Sequence, residues 1–171
     1  MTIVVVNTDA STSTLSNVGE KNVQQAAVDL CLENVWRMEG VFQIDEDGKT
    51  PRKTVQLKPD FKGYYFLQPG VYEISFDHDI EIGPDEAALV ITRSTLVRNG
   101  VLCASGLWDP GFKGRGGCAL HVNGGPLRIK KGTRVAQFVL WKVMNAQGSY
   151  NGSYGLGTDG KPKELEAKYH A

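Results

Sequence analysis

Little in this 171-residue chain suits a membrane, an electrostatic grip on nucleic acid or a disulfide framework. The opening MTIVVVNTDA carries only a short apolar run with no basic flank, and no uninterrupted apolar stretch is long enough to span a bilayer. Lys plus Arg and Asp plus Glu both number 19, so no net field draws the molecule to DNA, RNA or anionic lipid. Any binding of phosphate then falls to local clusters of cations. Three cysteines, Cys31, Cys103 and Cys118, are odd in number and widely spaced, which suits reduced, buried thiols better than disulfides or a zinc site. These absences predict a soluble, unsecreted, cytoplasmic protein with no nucleic-acid partner and no membrane attachment.

Several chemistries are missing as well. A zinc-dependent nucleotide deaminase needs a His-x-Glu pair and a Pro-Cys-x-x-Cys pair, because three ligands must hold the metal while the glutamate shuttles protons, and neither pair occurs. His78, His121 and His170 stand far apart in sequence and read as packing or surface residues rather than ligands. No strand-Gly-x-Ser-x-Gly elbow supports a serine hydrolase. GLGTDGK at 155–161 approaches a phosphate-binding P-loop, but Pro162 stands where a Ser or Thr should hold magnesium.

What is present points to one mostly-β domain. Glycine is frequent, and short Val/Ile/Tyr/Phe runs alternate with turn residues. Strands are predicted at 28–32, 64–67, 71–76, 87–92, 118–122 and 135–143. In VYEISF (71–76), Val71, Glu73 and Ser75 alternate with Tyr72, Ile74 and Phe76, the period of a half-buried strand. DEDGK (45–49), QPG (68–70), IGPDE (82–86) and NGGP (123–126) supply turn residues. One helix is expected over 93–100, ended by Asn99-Gly100. Residues 1–144 are thus expected to form a β domain. Residues 145–171, rich in Gly and polar side chains with isolated tyrosines, are expected to form a flexible tail with too little apolar surface to order itself.

Three segments carry groups suited to a phosphate ester, which calls for cations or hydroxyls on the phosphates, a base for water and a divalent ion. TRSTL (92–96) sets Arg93 beside Ser94 at a strand-to-helix junction, where a guanidinium fork, a hydroxyl and free backbone N–H groups can meet phosphate oxygens. The alternative is a plain surface helix with Ser94 as its N-cap. GTRVAQ (132–137) puts Arg134 and Gln137 at the start of an apolar strand, where polar groups require solvent, a partner or a ligand. In GLWDPGFKG (106–114), Pro110-Gly111 force a tight reversal that would hold Asp109 in place, with Phe112 offering a flat face to a sugar ring. Asp109 also reads simply as a turn-starter.

In order and wording these segments resemble the trimeric dUTPase and dCTP deaminase superfamily, especially its archaeal and phage-like dUTPase branch. QAAVDLCL (25–32) resembles the first motif, TRSTL the second, GLWDPGFKG the third, GTRVAQ the fourth, and YNGSYG (150–155) the aromatic, Gly-rich tail. The resemblance implies a distorted, jelly-roll-like β-barrel with one short helix and a tail closing over the site. It implies a homotrimer with sites at subunit interfaces, acting on dUTP with Mg2+. Asp109 would activate water for attack on the α-phosphorus, giving dUMP and pyrophosphate. Phe112 would pack under deoxyribose, and Arg93, Ser94, Arg98, Arg134 and Gln137 would hold substrate. Asp29 would lie near the magnesium through water, and Tyr154 would cover the base.

The same superfamily includes zinc-free dCTP deaminases that rely on a Glu ten residues after the third-motif Asp, with an Arg and a Ser from the second motif. Ser94 and Arg98 match that pair, but position 119 is Ala119, which cannot move protons. A dUTP pyrophosphatase is therefore expected over a dCTP deaminase or a bifunctional enzyme. The family's tail Arg is absent, since no Arg lies beyond Arg134; Lys161 and Lys163 are the candidate substitutes, without its bidentate grip. That departure keeps open a non-catalytic nucleotide-binding regulatory protein. Trp108, in place of a smaller aliphatic, would either crowd the base or pack the hairpin. The segment 44–53 reads as an insertion outside the motifs.

Overall fold

A computed structural model describes residues 11–46 and 48–169. The opening segment 1–10 and His170, both weighed above, lie outside the described residues. The elements are β1 (Thr14–Leu15), β2 (Val28–Glu39), β3 (Gln43–Asp45), β4 (Gly48–Thr50), β5 (Lys53–Leu57), β6 (Tyr64–Leu67), β7 (Gly70–Glu81), β8 (Glu86–Thr92), α1 (Ser94–Val97), β9 (Val101–Ala104), β10 (Lys113–Val122), β11 (Leu127–Lys130), β12 (Arg134–Lys142) and α2 (Glu164–Tyr169).

The main sheet runs β8-β12-β2-β7-β10-β9, with β1 added on β7 and β5 on β2. Its two ends meet: Cys103 N–H donates to the Thr92 hydroxyl at 2.7 Å, and Val90 N–H donates to the Ser105 hydroxyl at 3.1 Å. The sheet thus curls into a nearly closed barrel, the mostly-β architecture expected from sequence, with two short helices rather than one. Val28, Leu30 and Leu32 of β2, Ile74 and Phe76 of β7, Leu120 of β10, and Phe138 and Leu140 of β12 fill it and are essentially inaccessible. Burying each stabilises the barrel by about 2 kcal/mol.

Three differences from the sequence reading have local causes. The strand expected at 28–32 continues to Glu39, because a bulge between Leu32 and Asn34 shifts the alternation by one. After it Val35 enters the core, while Asn34, Trp36 and Met38 turn to the other face. The helix is only Ser94–Val97: Arg93, in extended conformation, is its N-cap without a side-chain cap bond, so Ser94 is the first helical residue and not the cap. The acidic segment 44–53 belongs largely to the β3–β4 hairpin, where Asp45 Oδ1 accepts from Gly48 N–H at 3.1 Å.

A buried carboxyl fixes the start of β8. Glu86 is fully inaccessible; it accepts from Ser13 N–H at 2.8 Å, Thr12 N–H at 3.2 Å and the Ser11 hydroxyl at 3.1 Å, and pairs with Lys142 at 3.0 Å. Burial pushes this carboxyl up, but the Ser13 hydroxyl, Lys142 and the Ser13 N–H outweigh it and hold it below the ordinary glutamate value of 4.5. A lowered folded-state value means the contribution is complete above the unfolded-state pKa and disappears as pH falls through the folded one. Thermal melts should therefore show Tm falling below about pH 4.5 in the native chain, with a smaller acid-dependent drop in Glu86→Gln. At neutral pH that variant should melt roughly 5–10 °C lower, because breaking a buried ion pair costs about 3 kcal/mol. Equal acid slopes in both proteins would remove Glu86 from this role.

Candidate functional site

The segment between β9 and β10 is held as a rigid bend. Trp108 exchanges both backbone hydrogen bonds with Ala88 of β8, at 2.8 and 2.9 Å. The Asp109 carbonyl then accepts from Phe112 N–H at 3.1 Å around Pro110-Gly111, with Gly111 at φ +79°, the pattern of a type II turn. Ile82 ties the bend down from both sides, accepting from Gly111 N–H at 3.0 Å and donating to the Phe112 carbonyl at 2.8 Å. Asp109 is half-buried at this fixed point, and its turn bond uses the backbone, leaving the carboxyl for other work. Trp108 packs the hairpin from inside: its ring stacks on Phe112 at 6.0 Å and lies 5.5 Å from Phe138.

A second cluster forms where β2, β12 and β8 adjoin. Asp29 is fully buried, and its Oδ2 receives Arg93 Nε at 3.2 Å and Arg134 Nη1 at 3.1 Å; its Oδ1 is buried without a hydrogen-bond partner. Arg93 Nη1 also donates to the Arg134 carbonyl at 3.3 Å, and Arg134 donates to the Lys21 carbonyl. Gln137 sits beside them, opposite Asp29 on β2 and Ile91 on β8. Ser94 and Arg98 are exposed on α1, next to Arg93. One buried acid thus orients two guanidinium groups, which are only about one-third exposed, beside a helix start.

A cleft of about 560 Å3 opens where β9 and β10 diverge. That volume suits a small molecule. Ala104 to Trp108 form one wall and Arg115 to Ala119 the other, with Phe112 between; Tyr150, Tyr154 and Glu166 come from the tail. The floor is the outer face of the sheet, including Asn34, Trp36, Glu73 and Ser75. Cys118 also lines it, but a hydrogen bond with Cys103 and burial push its thiol well above the ordinary range, so it stays protonated and is no nucleophile.

The structure therefore divides the sequence-predicted residues. Phe112 and Tyr154 line the cleft. Asp29, Arg93, Arg134 and Gln137 gather elsewhere, with Ser94 and Arg98 beside them, and none of the six lines it; Asp109 stands at the bend between its walls but is not a lining residue either. Phe112 is only 6% exposed, covered by Trp108 and by the Tyr150 ring edge-on at 5.5 Å. Sequence reasoning missed Asn34, Trp36 and Tyr150. Glu73 and Ser75 were legible as one face of VYEISF, but nothing in the sequence says that this face floors a cleft.

The tail borrows its order from the hairpin. Tyr150 N–H donates to the Pro110 carbonyl at 2.6 Å and Leu156 N–H to the Lys113 carbonyl at 2.7 Å, while Leu165 of α2 is buried. Lys163 donates to the Gly152 carbonyl at 2.9 Å and lies over the Tyr150 ring; Lys161 is exposed beside Asp159. Docking depends on Gly155, at φ +77°, where a Cβ would meet the Lys113 carbonyl and the Phe112 ring, the latter at 2.9 Å. Gly155→Ala should release the tail from the hairpin: hydrogen exchange at the Tyr150 and Leu156 amides should rise roughly 10-fold or more while the barrel's Tm moves by only a few degrees. Unchanged protection would show that the close approach does not hold the tail.

Among the described residues no group of three or more His, Cys, Asp or Glu could hold a metal ion. No described helix is long and apolar enough to cross a membrane. Comparison with known proteins then decides the family, since residues 6–143 match the model of the dCTP deaminase-like domain. The chain belongs to the dCTP deaminase-like family. A relative from Methanopyrus kandleri, described as a probable deoxyuridine 5'-triphosphate nucleotidohydrolase, is 37% identical over 142 residues, spanning 81% of this chain and 91% of its own. The deoxyuridine 5'-triphosphate nucleotidohydrolase of Methanocaldococcus jannaschii is 29% identical over 154 residues, 88% of this chain and 98% of its own. Two solved structures share the fold: the 2'-deoxycytidine 5'-triphosphate deaminase of Agrobacterium tumefaciens (TM-score 0.59, 17% identity, 75% of this chain and 42% of that one) and the EIAV dUTPase (TM-score 0.52, 16% identity, 81% and 92%). A mutant dUTPase of the S. aureus phage phi11, with TM-score 0.52, 15% identity and coverage of 81% and 95%, is described with a structural Mg(II) ion. Within this dCTP deaminase-like chain, position 119 on the cleft wall is an alanine.

Proposed function

We propose that this protein is a cytoplasmic dUTP pyrophosphatase that hydrolyses dUTP to dUMP and pyrophosphate. The observation that carries the reading is Asp109, held by backbone bonds at a fixed bend between the walls of a nucleotide-sized cleft, in a chain whose archaeal relatives are described as dUTP nucleotidohydrolases. The Asp109 carboxyl orients a water and takes its proton as the oxygen attacks the α-phosphorus; the bond from that phosphorus to the bridging oxygen breaks, and pyrophosphate leaves. Arg93 and Arg134, aimed by Asp29, and Ser94 and Gln137 beside them hold the triphosphate. Ala119 lines the cleft with no titratable group, which argues against deamination by the superfamily's glutamate.

Among the described residues no group of His, Cys, Asp or Glu forms a metal site, and Asp29 Oδ2 is already committed to two guanidinium groups. A magnesium ion would enter with the triphosphate, near Asp29 through water, and would supply neutralisation of phosphate charge there. The arginine cluster and the cleft do not share a cavity in one chain, an arrangement that supports a homotrimer in which one protomer's second motif faces its neighbour's hairpin. Residues 145–171 then act as the closing tail, with Tyr154 over the base. Incubation with dUTP or dCTP and magnesium, with product identification and a light-scattering mass, tests the reading: dUMP plus pyrophosphate from a trimer is expected. Tight nucleotide binding without turnover would instead establish a regulatory protein.

A further inference from the structure

We propose that the outer face of the β6–β11 ribbon binds single-stranded nucleic acid, with Phe61, Phe66 and the Arg128–Tyr64 stack as platforms for bases and with Lys62, Arg128 and Lys130 against phosphates. The ribbon is a two-stranded sheet of its own beside the barrel, and its two faces differ. Tyr65, Leu67 and Ile129 are buried. Tyr64, Phe66, Arg128 and Lys130 take the alternate positions and share the outer face, Arg128 opposite Phe66 and Lys130 opposite Tyr64. None of these residues lines the cleft, so the inference does not depend on what the cleft hydrolyses.

Two observations point to a ligand. Phe61, at the turn into β6, is 94% exposed and Phe66 is 64% exposed, and large rings left in water close together mark a binding surface. The second observation is charge. Across 58–67 and 127–131 the sequence sets five cations, Lys58, Lys62, Arg128, Lys130 and Lys131, against one acid, Asp60. That acid builds the turn: its Oδ1 accepts from the Lys62 and Tyr64 N–H groups at 2.9 Å each, and its Oδ2 lies 3.9 Å from Arg128. Lys131 pairs with Glu33 at 2.6 Å. The other ribbon cations stand over rings: Lys62 Nζ lies 5.5 Å from the Phe61 centroid, the Arg128 guanidinium 3.6 Å and Lys130 Nζ 5.8 Å from that of Tyr64.

Cations interleaved with flat rings complement a chain in which phosphates alternate with unstacked bases. An acidic peptide would use the charges and leave the planes idle. A second apolar surface would cover the rings and would desolvate Lys62 and Lys130 without partners, which is costly. Arg128 lies over Tyr64 with half of its side chain still exposed, so its guanidinium plane extends the stacking platform. A duplex hides the faces of its bases, and the surface therefore selects single strands. The balanced charge from which no nucleic-acid partner is expected describes the whole chain; this face departs from it locally.

The test is fluorescence anisotropy of a labelled oligodeoxythymidylate about 20 nucleotides long, with the native chain, F61A/F66A and K62E/K130E. A DNA duplex of equal length and a polyglutamate peptide serve as competitors. The native chain should bind the single strand and lose roughly 20-fold in affinity between 50 and 200 mM salt, the slope for three phosphate contacts. F61A/F66A should weaken binding by about tenfold or more at constant charge, and K62E/K130E should abolish it; each stands alone if the other does not fold. Both alter exposed side chains outside the cleft, so native dUTP turnover should persist in both. No binding by the native chain, or equal binding by F61A/F66A, overturns the inference. Competition by polyglutamate or duplex as effective as by unlabelled single strand also overturns it, since the rings would then take no part. Concentration-dependent assembly that F61A/F66A abolishes, with no oligonucleotide bound, would make the ribbon a contact between copies of this chain and overturn it too.

Discussion

Asp109→Asn should reduce pyrophosphate release from dUTP by roughly 10^2- to 10^4-fold, the range for losing a positioned general base, and should do so without unfolding the barrel. The bend is closed by the Asp109 carbonyl and the Phe112 N–H, and is braced by Gly111 and Ile82, so the side-chain change removes none of those bonds. Its Tm should stay close to that of the native chain, consistent with a change of about 0.5 kcal/mol or less for a substitution away from core, caps and buried networks. Binding of a non-hydrolysable dUTP analogue should persist, because Arg93 and Arg134 are oriented by Asp29 and not by Asp109. Kinetics and calorimetry on the same preparation separate the two readings that the sequence leaves open. Retained turnover with a markedly lowered Tm would make Asp109 a turn-starter and nothing more.

Those two readings coexist because a turn and a catalytic bend have the same local grammar. WDPGF specifies the reversal, and the structure contains it, with Pro110 and Gly111 at the positions a type II turn requires. The alternation of VYEISF likewise separates Tyr72, Ile74 and Phe76, which are buried in the barrel, from Glu73 and Ser75, which floor the cleft. What fails to be legible is whatever depends on an irregularity or on distant chain. The bulge after Leu32 breaks the alternation of β2, so its second half, including Asn34 and Trp36, is hidden from a period-two reading. The tail lacks apolar surface of its own; its order comes from backbone bonds to Pro110 and Lys113, which no local pattern encodes. Asp29 meets Arg93 and Arg134 only because three strands lie side by side. The ordered motifs brought these residues onto one list, but a list does not say which of them touch.

That last contact yields a decisive comparison for Asp29. As a remote partner of a hydrated magnesium ion, Asp29 would be dispensable for folding, and Asp29→Asn would chiefly raise the magnesium concentration needed for turnover. As the clamp observed here, it pairs with two guanidinium groups from a fully buried position. Removing one partner of a buried ion pair typically costs about 3–5 kcal/mol, and with the two guanidinium groups about one-third exposed the loss here falls at the lower end. Asp29→Asn should therefore lower Tm by roughly 10 °C, taking 2–4 °C per kcal/mol for a chain of this size, and the loss should appear with no metal or nucleotide present. Arg93, with the Asp29 carboxylate neutralised, should also lose its aim at the triphosphate, so KM for dUTP should rise more than kcat falls at temperatures where the variant is folded. Chelator should leave the native and variant melting temperatures each unchanged, since the clamp contains no metal. A variant with native Tm whose only defect is repaired by excess magnesium would return Asp29 to the metal's coordination sphere and leave Arg93 and Arg134 without the acid that orients them.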